Sequence, residues 1–263
     1  MIHNQLKKNI IWDLSGTLLK SSSEHLTTQE AADSSLLFYL WSGKKKPSPL
    51  DTIALTVMNQ LGKQNEQNST IIRNPAGEPL PEIVCFFLAG KLSSGDASHK
   101  ALTFFDKWTQ KNQTHSSEQL SQARRIIETF FDPYCLARCF IMIPGLVEIL
   151  KQTSHAQKTV NYIISNWDKE SFDLIYKKYQ DPIFSYFKLN HILISAEAGY
   201  VKPHEEIFNY FLDTQKITPE SCFFIDDQKD NITTAARLGI EGIQFNADET
   251  ELVAIKLREL NVL

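Results

Sequence analysis

From residue 158 onward, short β-rich runs alternate with helical stretches, and that alternation constrains the fold more than any other feature of the chain. The runs 160–164, 191–195, 222–225 and 242–245 carry β-branched and aromatic residues. Between them, 169–178, 203–212, 231–238 and 250–260 place apolar residues three or four apart, the period of a helix with one buried face. Strand, helix and strand in regular succession give parallel strands covered by helices on both faces. One more strand is expected at 9–14. The intervening stretch has no comparable strand pattern and reads as helices at 28–41, 50–61, 80–92, 97–108 and 117–131. The polar segment 63–77, with Pro75 and Gly77, reads as an exposed loop, and 20–24 and the Pro144-Gly145 pair read as linkers around the helical block. The predicted fold class is therefore α/β. A doubly wound parallel-sheet core made of 1–19 and 141–263 is interrupted by an all-helical insertion at 20–140.

Composition narrows the possible partners. Among 263 residues, 27 Lys and Arg face 31 Asp and Glu, for a net charge of −4, which argues against nucleic-acid binding by bulk electrostatics. With 42% hydrophobic and 22% charged residues the chain can bury an ordinary globular core. The longest apolar run, 83–89, falls short of the ~18 residues a membrane span needs. Lys7 and Lys8 precede Ile10-Ile11-Trp12, but Asp13 ends that run too early for a signal-peptide core. The four cysteines, Cys85, Cys135, Cys139 and Cys222, form no C-x-x-C pair, so neither a disulfide scaffold nor a zinc knuckle is expected. Cys135 and Cys139, one helical turn apart, read as packed thiols. The expected location is a soluble, reducing compartment, the cytoplasm.

In an open parallel sheet, ligands bind beyond the carboxyl ends of the strands. Four such ends carry reactive residues here. The first strand ends in Asp13, followed by Leu14-Ser15-Gly16-Thr17, and the second in Ser165-Asn166. The third leads to Gly199-Tyr200-Val201-Lys202-Pro203, with Pro203 suited to a first helical turn, and the fourth ends in Asp226-Asp227. Each has an ordinary reading: Asp226-Asp227 as a helix cap, Lys202 as a solvated lysine, Ser165-Asn166 as a turn. Their joint placement is what marks a site. Three acids pressed together repel and raise one another's pKa unless a cation is present, and a hard divalent ion, Mg²⁺ for preference, suits oxygen ligands and phosphates.

The segments W-D-L-S-G-T-L-L (12–19), I-S-N-W-D (164–168), G-Y-V-K-P-H-E-E-I-F (199–208) and F-F-I-D-D-Q-K-D-N-I-T-T-A-A-R-L-G-I (223–240) resemble, in order, the four motifs of the haloacid dehalogenase superfamily. The resemblance covers 1–19 and 141–263 and implies a Rossmann-like core. It also places the helical insertion where that superfamily carries its cap domain. By the same resemblance, Asp13 is the nucleophile that forms an aspartyl-phosphate, and Asp13, Asp226 and the backbone carbonyl of Ser15 hold Mg²⁺ with support from Asp227. Thr17, Ser165 and the amide of Asn166 grip phosphoryl oxygens, while Lys202 offsets their charge. The implied activity is a phosphatase acting on a small phosphorylated molecule, with no nucleic acid and no membrane span involved.

One position departs from the pattern. Phosphatases of the superfamily carry a second Asp two residues after the nucleophile, which protonates the leaving oxygen, and here that residue is Ser15. A serine hydroxyl is a poor acid and base, and such catalysis is typically worth ~10²–10⁴-fold. The departure is compatible with a phosphatase confined to good leaving groups, or with one whose acid comes from the cap or the substrate. It is also compatible with a catalytically impaired phosphate-binding pseudoenzyme, or with dehalogenase- or phosphonatase-like cleavage of another bond. The Asp226-Asp227 pair weighs against the metal-free dehalogenases. A phosphonatase needs a cap lysine, for which Lys20, 44–46 and Lys91 have no distinctive context.

The insertion holds Arg73, Arg124, Arg125 and Arg138, four of the six arginines and the expected contacts for a second anionic group on the substrate. The ordinary reading of Arg124 and Arg125 is as residues flanking the apolar face of a helix, and the 44–46 lysine run reads as a solvated turn. Aromatic residues at helical spacing, among them Trp41, Phe87, Phe130 and Phe131, read mostly as core. The seven histidines show no metal-ligand spacing, and His204 is assigned to the rim of the site.

Overall fold

A computed structural model describes residues 7–42, 46–62, 71–245 and 249–263. Lys44 and Lys45 of the lysine run, and 63–70 of the expected loop, lie outside the described residues. In chain order the strands are β1 (Lys8–Trp12), β2 (Leu19–Ser21), β3 (Phe140–Met142), β4 (Thr159–Ser165), β5 (Ile192–Ile194), β6 (Cys222–Asp226) and β7 (Glu241–Gln244). The helices before β3 are α1 (Thr28–Asp33), α2 (Ser35–Ser42), α3 (Pro49–Gly62), α4 (Glu82–Leu88), α5 (Ser94–Lys111), α6 (Ser117–Phe130) and α7 (Pro133–Arg138). After it come α8 (Pro144–His155), α9 (Lys169–Lys178), α10 (Ser195–Ala198), α11 (Glu205–Gln215), α12 (Lys229–Arg237) and α13 (Thr250–Glu259).

The chain divides into two compact units: Met1–Lys20, Met142–Asn166 and Tyr176–Leu263 form one, and Ser21–Ile141 with Trp167–Ile175 form the other. The first unit is built on a parallel five-stranded sheet in the order β5-β4-β1-β6-β7. It is an α/β, Rossmann-like fold. The central strand β1 is covered on both faces, which is why Ile10, Ile11 and Trp12 run as an unbroken apolar string with no exposed surface. Ile11 stands level with Tyr162 on one side and Phe224 on the other. Helix α11 buries Ile207, Phe208 and Phe211 against this sheet, Phe208 meeting Phe224 edge to face at 5.4 Å between ring centres. Burying side chains of this size stabilises by ~1.5–3 kcal/mol each. The indole N–H of Trp12 and the Thr153 hydroxyl both donate to Asn161 Oδ1, at 3.1 and 3.0 Å, so the polar atoms buried between β1, β4 and α8 are satisfied.

Three local expectations are corrected. Neither bracketing stretch is a simple linker: β2 takes Lys20 and pairs with β3, and Pro144 opens α8. Proline suits a first turn, where its missing N–H has no helical partner to lose. Gly145 follows because α13 comes close there; a Cβ on it would lie 2.9 Å from Thr250 Oγ1. Pro203 does not sit in a first turn either, since its peptide with Lys202 is cis and α11 begins at Glu205 behind the N-cap His204.

The second unit is helical. Expected as one helix, 28–41 is two, broken at Ser34, whose backbone leaves the helical region (φ −90°, ψ 4°). Ser34 is buried at this break, and its hydroxyl has no hydrogen-bond partner. Thr27 and Glu30 close a capping box on α1, as Ser116 and Gln119 do on α6. The aromatic residues form the interior: Phe131 packs edge-on against Phe87 and Phe130 at 5.3 and 5.0 Å, and Trp41 lies 5.4 Å from Phe130. Neither Cys135 nor Cys139 forms a disulfide, and burial pushes the Cys135 thiol up to about 12, so it is chemically quiet. No helix among the described residues is long and apolar enough to cross a membrane.

Candidate active site

The register of the sheet assembles the site. Trp12 on β1 pairs with Ile225 on β6, so the next residues, Asp13 and Asp226, emerge side by side at the carboxyl edge. The Asp13 amide closes this edge by donating to Ile225 O at 2.9 Å. On the other flank β4 ends in Ser165, whose hydroxyl donates to Asp13 Oδ1 at 2.6 Å and accepts the Leu14 amide at 3.3 Å. Both carboxylates are buried, Asp13 at 2% exposure and Asp226 at 0%.

Lys202 is not the solvated lysine of the ordinary reading. Its side chain is 1% exposed, and its Nζ lies 2.7 Å from Asp13 Oδ1 and 2.7 Å from Asp226 Oδ2. The ring of Phe224 lies 5.2 Å from the same ammonium. Burial pulls the lysine pKa down, but the two carboxylates outweigh it and hold the pKa above the ordinary value. Asn166 fixes the backbone that carries this lysine: Nδ2 donates to Lys202 O at 2.9 Å, and the Lys202 amide donates to Asn166 Oδ1 at 2.8 Å. This reciprocal clamp ties the end of β4 to the loop before α11.

Asp226 has two further partners. The Gln228 amide donates to its Oδ1 at 2.8 Å, and Asn231 Nδ2 reaches both carboxylate oxygens at 3.1 and 3.0 Å. Burial still pushes its pKa up to about 6, with Lys202 pulling it back and Asp13 adding to the rise. Asp227 is raised well above its ordinary value, first by burial and then by Asp226 and Asp13. It lies against Gly16, which has φ +87° and where any Cβ would fall 2.4 Å from Asp227 Oδ2. Only glycine fits that approach.

These residues fit a hard divalent cation. Asp13, Asp226 and Asp227 each offer one oxygen within 4.8 Å of the others, and a single ammonium cannot neutralise three carboxylates. Asp227 Oδ1, Ser15 Oγ and Thr17 Oγ1 are buried with no hydrogen-bond partner, a cost of ~1–3 kcal/mol for each unless a ligand meets them. Asp226, Asp227 and Asp13 are oxygen donors, the class that Mg²⁺ prefers.

All eight residues singled out from the sequence lie in the first unit. The geometry brings Asp13, Ser165, Lys202, Asp226 and Asp227 into one cluster, with Ser15 and Thr17 on either side of the Gly16 turn. The sequence reading does not single out Gly16 or Asn231, nor the side-chain role of Asn166. The amide of Asn231, five residues after Asp226 on the first turn of α12, was the available signal. In the helical unit the four arginines are engaged locally: Arg124 with Asp106 and Glu128, Arg125 with Asp33, Arg138 with Glu30, and Arg73 with Gly77 O. His204 is half-buried at the start of α11.

Known proteins bear on the family. A structure of a haloacid dehalogenase family enzyme from Bacteroides thetaiotaomicron, in complex with magnesium and inorganic phosphate, is similar at 17% identity and a TM-score of 0.55, over 92% of this chain and 96% of that one. A structure of a predicted family hydrolase from Porphyromonas gingivalis gives the same identity and TM-score over 97% and 98%. Both likenesses concern the fold. In sequence, a drimenol cyclase of Aspergillus calidoustus is 30% identical over 125 residues, which is 48% of this chain and 23% of that protein. This chain therefore spans less than a quarter of that relative's length. The family model for haloacid dehalogenase-like hydrolases matches residues 7–239, from just before β1 to just past α12. The match takes in every residue of the cluster, and the chain belongs to the haloacid dehalogenase-like hydrolases.

Proposed function

We propose that the chain is a Mg²⁺-dependent phosphoric-monoester hydrolase acting on a small phosphorylated molecule through Asp13. The observation that carries this reading is the Asp13 carboxylate, fixed by Ser165 and Lys202 beside the buried carboxylate of Asp226 and the half-buried one of Asp227. Phosphoryl transfer asks a protein mainly for positioning and charge neutralisation, and that is what this cluster offers. Asp13 attacks phosphorus and becomes an acyl phosphate, which water then cleaves. Lys202 balances charge on the nucleophile, and the Thr17 and Ser165 hydroxyls with the Asn166 amide orient the phosphoryl oxygens. Asp13, Asp226, Asp227 and the Ser15 carbonyl would hold Mg²⁺, which when bound neutralises charge developing on phosphoryl oxygens. The Bacteroides relative crystallised with magnesium and phosphate supports this reading at the level of the fold. The helical insertion at 20–140 is the cap domain and selects the substrate, 1–19 and 141–263 form the catalytic core, and the protein works in the cytoplasm.

The test is a phosphatase screen with and without Mg²⁺ that includes an aryl phosphate, run beside Asp13→Asn. Turnover that needs Mg²⁺ and falls by ~10³-fold or more in the variant is expected. Mg²⁺ is also expected to raise the thermal midpoint of the wild type and not of Asp226→Asn. Ser15 favours one second reading, a phosphate-binding protein without turnover. A Mg²⁺-induced thermal shift with no activity on any substrate would establish that reading and end the first.

A further inference from the structure

We propose that the side chain of Asn166 is a positioning residue for Lys202, pinning the lysine's backbone so that its ammonium stays between Asp13 and Asp226 during phosphoryl transfer. This inference rests on the phosphatase reading above. It gives the Asn166 side chain a role separate from that of its backbone amide, and it comes from how the two ends of the lysine are held.

Lys202 lies in the loop between α10 and α11. At its far end the ammonium meets Asp13 Oδ1 and Asp226 Oδ2, at 2.7 Å each. At its backbone end, Asn166 Nδ2 donates to the Lys202 carbonyl at 2.9 Å, and the Lys202 N–H donates to Asn166 Oδ1 at 2.8 Å. One side chain thus takes both hydrogen-bonding groups of one residue's backbone. A primary amide suits this task because it carries a donor and an acceptor side by side. An aspartate there would set an oxygen against the Lys202 carbonyl.

A lysine stem is flexible, so its ammonium is a point charge only as well placed as the backbone that carries it. The stem of Lys202 is buried and strung between two fixed ends. Release of the backbone end lets the loop drift and the ammonium with it. Asn166 directly follows Ser165, which donates to the same Asp13 oxygen that the ammonium meets. Two neighbouring residues therefore place the nucleophile and its counter-charge together: Ser165 holds Asp13 directly, and Asn166 holds Lys202 through its backbone. The ammonium has to serve Asp13 and the incoming phosphoryl group at once, and a misplacement of ~1 Å in such a group costs up to ~10²-fold in rate.

The experiment compares kcat and KM of Asn166→Ala and wild type, full chain, with Mg²⁺ and an aryl phosphate. The substitution removes both arms of the clamp and leaves the backbone N–H at that position. We expect kcat to fall by ~10–100-fold and KM to change by less than about threefold, because the lost interaction acts in the transition state. The Mg²⁺-induced rise in thermal midpoint should persist, since no cation ligand is altered. If Asn166→Ala does not fold, Asn166→Asp, which keeps an oxygen for the Lys202 N–H and loses the donor, should show the same split. A kcat within about twofold of wild type overturns the inference. So does a KM that rises at unchanged kcat, which would make the side chain a substrate contact. A second measurement needs no substrate: urea unfolding without Mg²⁺ of Asn166→Ala, Lys202→Met and the double variant. Asn166→Ala should raise the unfolding equilibrium constant at least about fivefold more in wild type than in the Lys202→Met background, and equal changes in both would refute the coupling. Absence of wild-type turnover on every phosphate donor would end the phosphatase reading, while the urea cycle would still decide whether Asn166 holds Lys202.

Discussion

The two units handle buried polarity in opposite ways. In the sheet-bearing unit, three carboxylates and an ammonium are gathered at the carboxyl edge and withdrawn from water, with orphaned hydroxyls beside them. In the helical unit, most charges stay at the surface and work locally, as caps on helix starts and as ion pairs between neighbouring helices. The first arrangement costs stability and makes sense if the residues are held for chemistry; the second contributes modestly and could be lost piecemeal. Apolar packing of β1, β6 and α11 is what lets the first unit tolerate its charged cluster.

The sharpest way to break this contrast is Lys202→Met, which leaves Asp13 and Asp226 buried with no counter-charge. A loss of ~3–5 kcal/mol is expected in urea unfolding without added Mg²⁺. A loss below 1 kcal/mol would show that the cluster is not desolvated. Asp168, at the start of α9, tests the exception in the second unit: it is buried, its Oδ1 accepts the Ser171 amide at 2.9 Å, and its Oδ2 has no partner. Burial pushes this carboxyl up to about 6, above its ordinary value of 3.8, which corresponds to roughly 3 kcal/mol at most. Because the folded-state pKa is raised, that stability is present below about pH 4 and lost as pH rises through about 6. Asp168→Asn is therefore expected to raise the thermal midpoint at pH 8 and leave it nearly unchanged at pH 4; an equal change at both would exclude the ionisation. The smallest effect belongs to the surface pairs. Arg124→Ala, which loses Asp106 and Glu128, should cost ~1 kcal/mol or less by chemical denaturation and weaken further as a difference in high salt.

Glu30 shows the reverse sign from Asp168. The Thr27 amide, Arg138 and the Thr27 hydroxyl bring its pKa down to about 2, so its contribution is present above about pH 4.5 and lost as pH falls toward 2. The two acids differ because one is sealed away from water with a single amide donor and the other is half-buried among several donors.

Much was legible before the structure because it was local. Alternating apolar runs marked β1, β4, β6 and β7 within a residue or two, and strand ends marked Asp13, Ser165, Lys202 and Asp226 as residues that a parallel sheet brings to one edge. The four-motif resemblance gave the family, and the match over 7–239 bears it out. The misses fell on residues whose local signal points the wrong way. Pro144-Gly145 looks like punctuation in isolation, and only the approach of Thr250 explains why glycine follows a helix-opening proline. Ser34 splits a helix that periodicity alone would run through.

The sequence by itself determined which residues form the sheet and which chemistry could gather at its edge, because side-chain periodicity and strand order are written along the chain. The tertiary structure alone decided how that edge is held: Lys202 buried between Asp13 and Asp226, its backbone clamped by Asn166, Asn231 on Asp226, and Gly16 pressed against Asp227. These contacts join residues as much as 211 positions apart, Gly16 and Asp227, and their partners are set by register and burial, to which no local pattern is sensitive. The pKa rise of Asp226 and Asp227 follows from the same cause, since water is excluded only once distant segments have closed around them.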